Sequence, residues 1–164
     1  MLSERHTEWS DPLNLILWRH ADAEDGAPDM DRRLTEKGIR QAKLMAAWLH
    51  ARLPRHIRVL VSPAARARQT ADALEIEYSI LRELAPGADA ARLLAAAGWP
   101  LEGDNVLIVG HQPTLGSAAS LLIAGEETPL SIKKGAIFWI ARRDRDARTE
   151  NVVRAVLPPD LIKV

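Results

Sequence analysis

Apolar and polar positions along the chain alternate in blocks that predict strands and helices in turn. Leu13 to Trp18, uniformly apolar from Leu15, stops abruptly at Arg19 and His20, ahead of the polar stretch from Asp22 to Asp31. A run of this length between turn signals reads as a buried strand. Residues 22–33, charged and holding Gly26 and Pro28, read as an exposed loop. Leu34-Thr35-Glu36-Lys37-Gly38 opens a helix with Thr35 as its N-cap. Ile39, Ala42, Met45, Ala46, Leu49 and Leu53 then recur at three- and four-residue spacing up to Pro54.

Ile57 to Val61 is the second predicted strand. Ser62-Pro63 starts a helix through Arg66, Arg68, Gln69 and Thr70 to Leu74, since serine caps well and proline suits the first helical position. A short strand over 77–81 and a short helix over 89–97, ended by Gly98, follow. Val106 to Val109 is the third long strand, leading into Gly110-His111, and Thr114 is expected to cap a helix over 115–124. Residues 136–140 and 151–157 read as a hairpin joined by a polar turn from Arg142 to Glu150. This order predicts an α/β three-layer sandwich: a mostly parallel central sheet, helices on both faces, and a C-terminal antiparallel hairpin.

Composition narrows the function classes. The 164 residues suit one domain over 13–164 behind a flexible lead-in over 1–12. The lead-in is charged, with no hydrophobic stretch, so no signal peptide is expected there. Lysine plus arginine and aspartate plus glutamate balance at 22 each, which gives no support for a nucleic-acid or acidic-membrane partner. Cysteine is absent, which excludes disulfides, thiolate chemistry and cysteine-ligated metals. No apolar segment approaches the roughly 20 residues that span a bilayer. A cytoplasmic protein is expected.

The candidate chemistry lies at strand ends, where open α/β sheets gather their ligands. Arg19 and His20 follow the first strand, Arg66 falls in the first turn of the helix after the second, and His111 follows the third. Two arginines and two histidines converging there suit a dianionic phosphoryl group. Arginine offers a planar fork, and imidazole can be nucleophile, proton carrier or donor near neutral pH. A metal site built on His20, Asp22 and His111 is the alternative, disfavoured because Arg19 and Arg66 would place positive charge beside the cation. Trp48 and Trp139 read as packing residues, Lys133 and Lys134 as a solvated turn, and His6, His50 and His56 as exposed and unpartnered.

Leu17-Trp18-Arg19-His20, Leu34-Thr35-x-x-Gly38, Ser62-Pro63-x-x-Arg66-Ala67-x-Gln69-Thr70 and Val109-Gly110-His111 occur in the order seen in the histidine phosphatase (phosphoglycerate mutase-like) superfamily. The short length and Gly110-His111-Gln112-Pro113-Thr114 most resemble its SixA-type phosphohistidine phosphatase branch, over roughly residues 13–140. The resemblance implies that His20 attacks phosphorus and is transiently phosphorylated, that Arg19 and Arg66 bind the phosphoryl oxygens, and that His111 stabilises charge on the phosphoryl group. It implies no metal or organic cofactor. Two departures stand out. Ala21 replaces the glycine usual after the nucleophile, and no clear general acid is present. Glu83 and Asp22 are the candidates, each by default a solvated loop carboxylate. A labile P–N bond needs less help than an alkoxide leaving group, so a phosphohistidine-bearing protein is the expected partner. A small phosphomonoester and a non-catalytic phosphoprotein-binding module are the alternatives; the oligomeric state is left open.

Overall fold

The computed structural model describes residues 11–163; the predicted lead-in lies almost wholly outside them, as does His6. Six strands form one sheet: β1 (Leu13–Arg19), β2 (Arg58–Val61), β3 (Ser79–Ile80), β4 (Val106–Gly110), β5 (Ile137–Arg145) and β6 (Arg148–Leu157). Their order is β3-β2-β4-β1-β5-β6. β3, β2, β4 and β1 run parallel, and β5 and β6 are antiparallel additions beyond β1.

Strand alternation divides the core into two halves. Leu15, Leu17, Ile108, Phe138 and Ile140 face one side with Leu93 of α3 (Ala90–Ala97) and Leu115 of α4 (Thr114–Ala124). Ile16, Trp18, Val59, Val61, Leu107, Val109 and Trp139 face the other side. There they meet Met45 and Leu49 of α1 (Glu36–His50) and Ala67 and Ala71 of α2 (Ala65–Asp72). These strands are apolar at consecutive positions because both faces are covered, as buried parallel sheets require. The three-layer α/β arrangement with its closing hairpin agrees with the sequence reading.

Thr35 caps α1, its Oγ1 accepting from the Gly38 N–H at 3.0 Å. Gly38 is there for lack of room: a Cβ would lie 2.0 Å from the Asp22 carbonyl oxygen. α1 therefore packs directly on the strand-end backbone after β1.

Several boundaries differ from expectation. Ser62 does not cap α2, which begins at Ala65 behind Ala64 with no side-chain cap; the Ser62 hydroxyl is used elsewhere, as described below. α2 ends at Asp72 rather than Leu74, and Glu75 follows with φ of 54°. The predicted strand over 77–81 keeps only Ser79 and Ile80. Thr114 is the first residue of α4, behind Pro113, and its hydroxyl donates to the Ala88 carbonyl at 2.7 Å instead of capping. The hairpin turn is far tighter than residues 142–150. β5 and β6 pair out to Arg145 and Arg148, and Asp146 and Ala147 (φ 46° and 64°) make the two-residue connection. Such left-handed pairs match strand twist, so they outweigh the polarity of the flanking sequence.

Trp48 and Trp139 meet edge to face at 6.1 Å, in agreement with packing roles. Lys133 and Lys134 are salt-bridged to Asp160 and Asp22. His56 is exposed. His50 is exposed too, but a ring nitrogen bonds the Leu74 carbonyl, so the expectation that it lacks a partner is corrected. No helix among the described residues is long and apolar enough to cross a membrane.

Candidate active site at the carboxyl ends of β1 and β4

Chain path and register create the site. From β1 the chain passes through α1 to β2, on the far side of β4; from β4 it passes through α4 to β5, on the far side of β1. The two crossovers run on opposite faces of the sheet, which leaves the carboxyl ends of β1 and β4 side by side. Arg19 pairs with Gly110 in register, and the His20 N–H donates to the Gly110 carbonyl at 3.1 Å. The next residue on each strand is a histidine. The His20 and His111 ring centroids stand 5.1 Å apart with a 53° tilt.

His20 is 6% exposed and His111 is 3% exposed. The Nδ1–H of His20 donates to the Ala21 carbonyl at 2.8 Å, which leaves Nε2 carrying the free lone pair. Burial pushes the His20 pKa down to about 4, with the charges of Arg66, Arg19 and Arg32 adding to the depression and the Ala21 bond opposing it. His111 is lowered to about 3, again first by burial and then by His20 and Arg66. Both rings are neutral at neutral pH.

The arginines are held by the backbone. Arg19 Nη1 donates to the Ile132 carbonyl at 2.7 Å, and Arg66 Nη1 to the Asp29 carbonyl at 2.8 Å. Arg66 Nη2 also meets the Asp29 carboxylate at 3.1 Å. The anchors leave Arg19 Nε, Arg66 Nε and His111 Nδ1 buried without a hydrogen-bond partner. Buried polar atoms are seldom left unpaired. Nitrogens on three of the four predicted residues therefore stay available to the oxygens of an anionic group.

The departures noted in the sequence resolve differently. Ala21 is fully buried with Leu34 and Ala42, its N–H donating to Thr70 Oγ1 at 3.0 Å. It is not among the positive-φ residues, so its methyl group causes no backbone strain. Asp22 is engaged by Thr35 Oγ1 at 2.8 Å and Lys134 Nζ at 3.1 Å, and these bonds lower its carboxyl pKa, led by Thr35. A carboxylate held ionised is a poor proton donor. Glu83 is exposed on a short 3-10 turn, Arg82–Leu84. Among the described residues, no group of three or more His, Asp or Glu side chains is arranged to hold a metal.

Sequence reasoning missed two contributors. Asp29 was one acid among several in a polar loop. Ser62 was assigned to capping, whereas its hydroxyl lies 2.7 Å from His111 Nε2. The position of Ser62, one residue past a strand that neighbours β4, was the available signal for it. Nothing in the sequence marked Asp29 as the partner of Arg66, 37 residues away.

Comparison with known proteins makes this an α/β phosphatase of the histidine type. The histidine phosphatase superfamily (branch 1) profile matches residues 15–87, and the chain belongs to this family. Over 128 residues it is 36% identical to the phosphohistidine phosphatase SixA of Escherichia coli K12, covering 72% of this chain and 79% of that one. An uncharacterised protein of Mycobacterium tuberculosis H37Rv is 41% identical over 125 residues, 70% of this chain and 75% of that one. Among solved structures, the protein histidine phosphatase SixA complexed with tungstate superposes with a TM-score of 0.75 at 31% identity, covering 92% of this chain and 100% of that one.

Proposed function

We propose that this phosphatase removes phosphoryl groups from histidine side chains of a partner protein, with His20 as the nucleophile. The observation that carries the reading is the set of nitrogens at the strand ends. The free Nε2 belongs to a neutral His20 that feels the charges of Arg66 and Arg19 and whose ring stands 5.1 Å from that of His111. Phosphoryl transfer depends mainly on such positioning and charge stabilisation.

In this reading His20 Nε2 forms a bond to phosphorus as the P–N bond of the substrate breaks. The departing imidazole takes a proton from solvent on its other ring nitrogen and leaves neutral. Water then attacks phosphorylated His20, releasing inorganic phosphate and restoring the free ring. Arg19 and Arg66 offset the phosphoryl charge in both steps. A sugar or serine ester would leave as an alkoxide and need an acid, which an ionised Asp22 does not supply. The similarity to SixA of E. coli, a phosphohistidine phosphatase by name, and to a tungstate-binding SixA supports the same substrate class.

The test is phosphate release from a phosphohistidine-bearing carrier protein and, in parallel, from a small phosphomonoester. Wild type, His20→Ala and wild type with excess chelator are compared. Chelator-resistant release from the phosphoprotein, lost in His20→Ala, is expected. Turnover of the ester alone would move the substrate to small molecules. Loss with chelator would restore the metal alternative, and turnover of neither would leave a binding module.

A further inference from the structure

The Ser62 hydroxyl is fully buried and makes two contacts among the described residues. Its oxygen accepts from the Ala64 N–H at 3.2 Å, and it lies 2.7 Å from His111 Nε2. The second contact can be written with the proton on either atom, and the two forms have opposite consequences. If His111 Nε2 carries the proton, the Ser62 oxygen accepts twice and its own O–H has no acceptor. His111 Nδ1, buried and unpartnered, would then be a bare lone pair in a site built for an anion. If Ser62 donates to Nε2, its hydroxyl is satisfied on both sides and the ring proton moves to Nδ1. That leaves one unpaired group, an N–H donor, and a phosphoryl oxygen is the acceptor that completes it.

We infer that Ser62 is a positioning residue that fixes His111 in its Nδ1–H form, so that His111 serves as a neutral hydrogen-bond donor to the phosphoryl group. The inference rests on the phosphatase reading above for the identity of the acceptor, and on Ser62 alone for the tautomer. Two consequences follow for catalysis. The positive charge in the site comes from the arginines and not from His111. The donor is also set before substrate arrives, so no proton has to be rearranged during transfer. The geometry further separates the roles of the two histidines. Each ring is pinned through one nitrogen, His20 by donating Nδ1–H to a carbonyl and His111 by accepting at Nε2 from a hydroxyl. One is left with a lone pair and the other with a proton.

Long-range 1H–15N correlation spectra of the histidine rings test this in the free wild-type protein, with His111→Ala used for assignment. The expected result is His111 with Nδ1 protonated and Nε2 bare at pH 7. An Nε2–H ring or an imidazolium would overturn the inference. Ser62→Ala removes only an oxygen, and kcat should fall about 100-fold, the scale of losing one oriented donor, while KM changes little. The rate is measured on whichever phosphorylated substrate the wild type turns over, and an unchanged kcat would also overturn the inference. The ring spectrum is read without substrate. Failure to hydrolyse phosphohistidine would therefore remove the substrate assignment and leave the tautomer result standing.

Discussion

Asp29 grips Arg66 twice, taking Nη1 on its backbone carbonyl at 2.8 Å and Nη2 on its carboxylate at 3.1 Å. The carbonyl sets the direction of the guanidinium, and the carboxylate subtracts a charge from the site. Its pKa is lowered by the Arg66 bond first, so it is ionised at neutral pH. Asp29→Asn keeps an acceptor oxygen and removes the charge. Inhibition by inorganic phosphate should tighten, about fivefold given that the Asp29 side chain is 55% exposed and partly screened. Weaker inhibition would mean that the carboxylate acts mainly by holding Arg66 in place.

The histidines should set an acid limit on stability. Their folded pKa values, about 4 and about 3, lie below the ordinary 6.5. Between those values the unfolded chain binds protons that the folded one refuses. The stabilisation is therefore complete above pH 6.5 and is lost progressively as pH falls toward 4, on the order of 3 kcal/mol for His20. Denaturant titrations at pH 7 and pH 5 should show wild type losing more than His20→Ala does. Equal losses would contradict the buried neutral ring.

Gly38→Ala should destabilise the protein by about 3 kcal/mol in chemical denaturation, because the added methyl would meet the Asp22 carbonyl at 2.0 Å and neither backbone can easily move. The strand end after β1 would shift with it, so activity should fall beyond what the loss of folded protein explains. A stable, fully active variant would show that the junction can relax.

Ala21→Gly should leave turnover within about twofold, since the Ala21 backbone already makes its bonds to His20 and Thr70 at ordinary φ. It should cost about 1 kcal/mol of stability through the lost methyl packing and the greater freedom of glycine in the unfolded chain. A large gain in activity would show instead that the methyl crowds the phosphate.

What was legible in the sequence was whatever depends on local pattern. The doubly apolar runs announced β1 and β4, and each runs into its histidine without a turn, so His20 and His111 were visible as strand-end residues. Their adjacency was not, because it depends on β4 lying between β2 and β1, a pairing across more than 90 residues. Thr35 was legible as the N-cap of α1, whereas Gly38 was visible only as a letter and is explained by the approach of α1 to the Asp22 carbonyl. Ser62 and Thr114 were misread for a shared reason. Both look like helix caps locally, but their hydroxyls find partners from distant segments, His111 and Ala88. The hairpin was underestimated because exposed strand pairs carry the same polar residues as loops.

The central claim is that His20 carries the phosphoryl group between substrate and water. Rapid mixing with a phosphohistidine-bearing protein, an alkaline quench to preserve P–N bonds, and peptide mass spectrometry would find it directly. A transient phosphoryl group on His20, rising before free phosphate and absent in His20→Ala, is the expected result. Steady release of phosphate with no phosphoenzyme, or with the label on another residue, would contradict it.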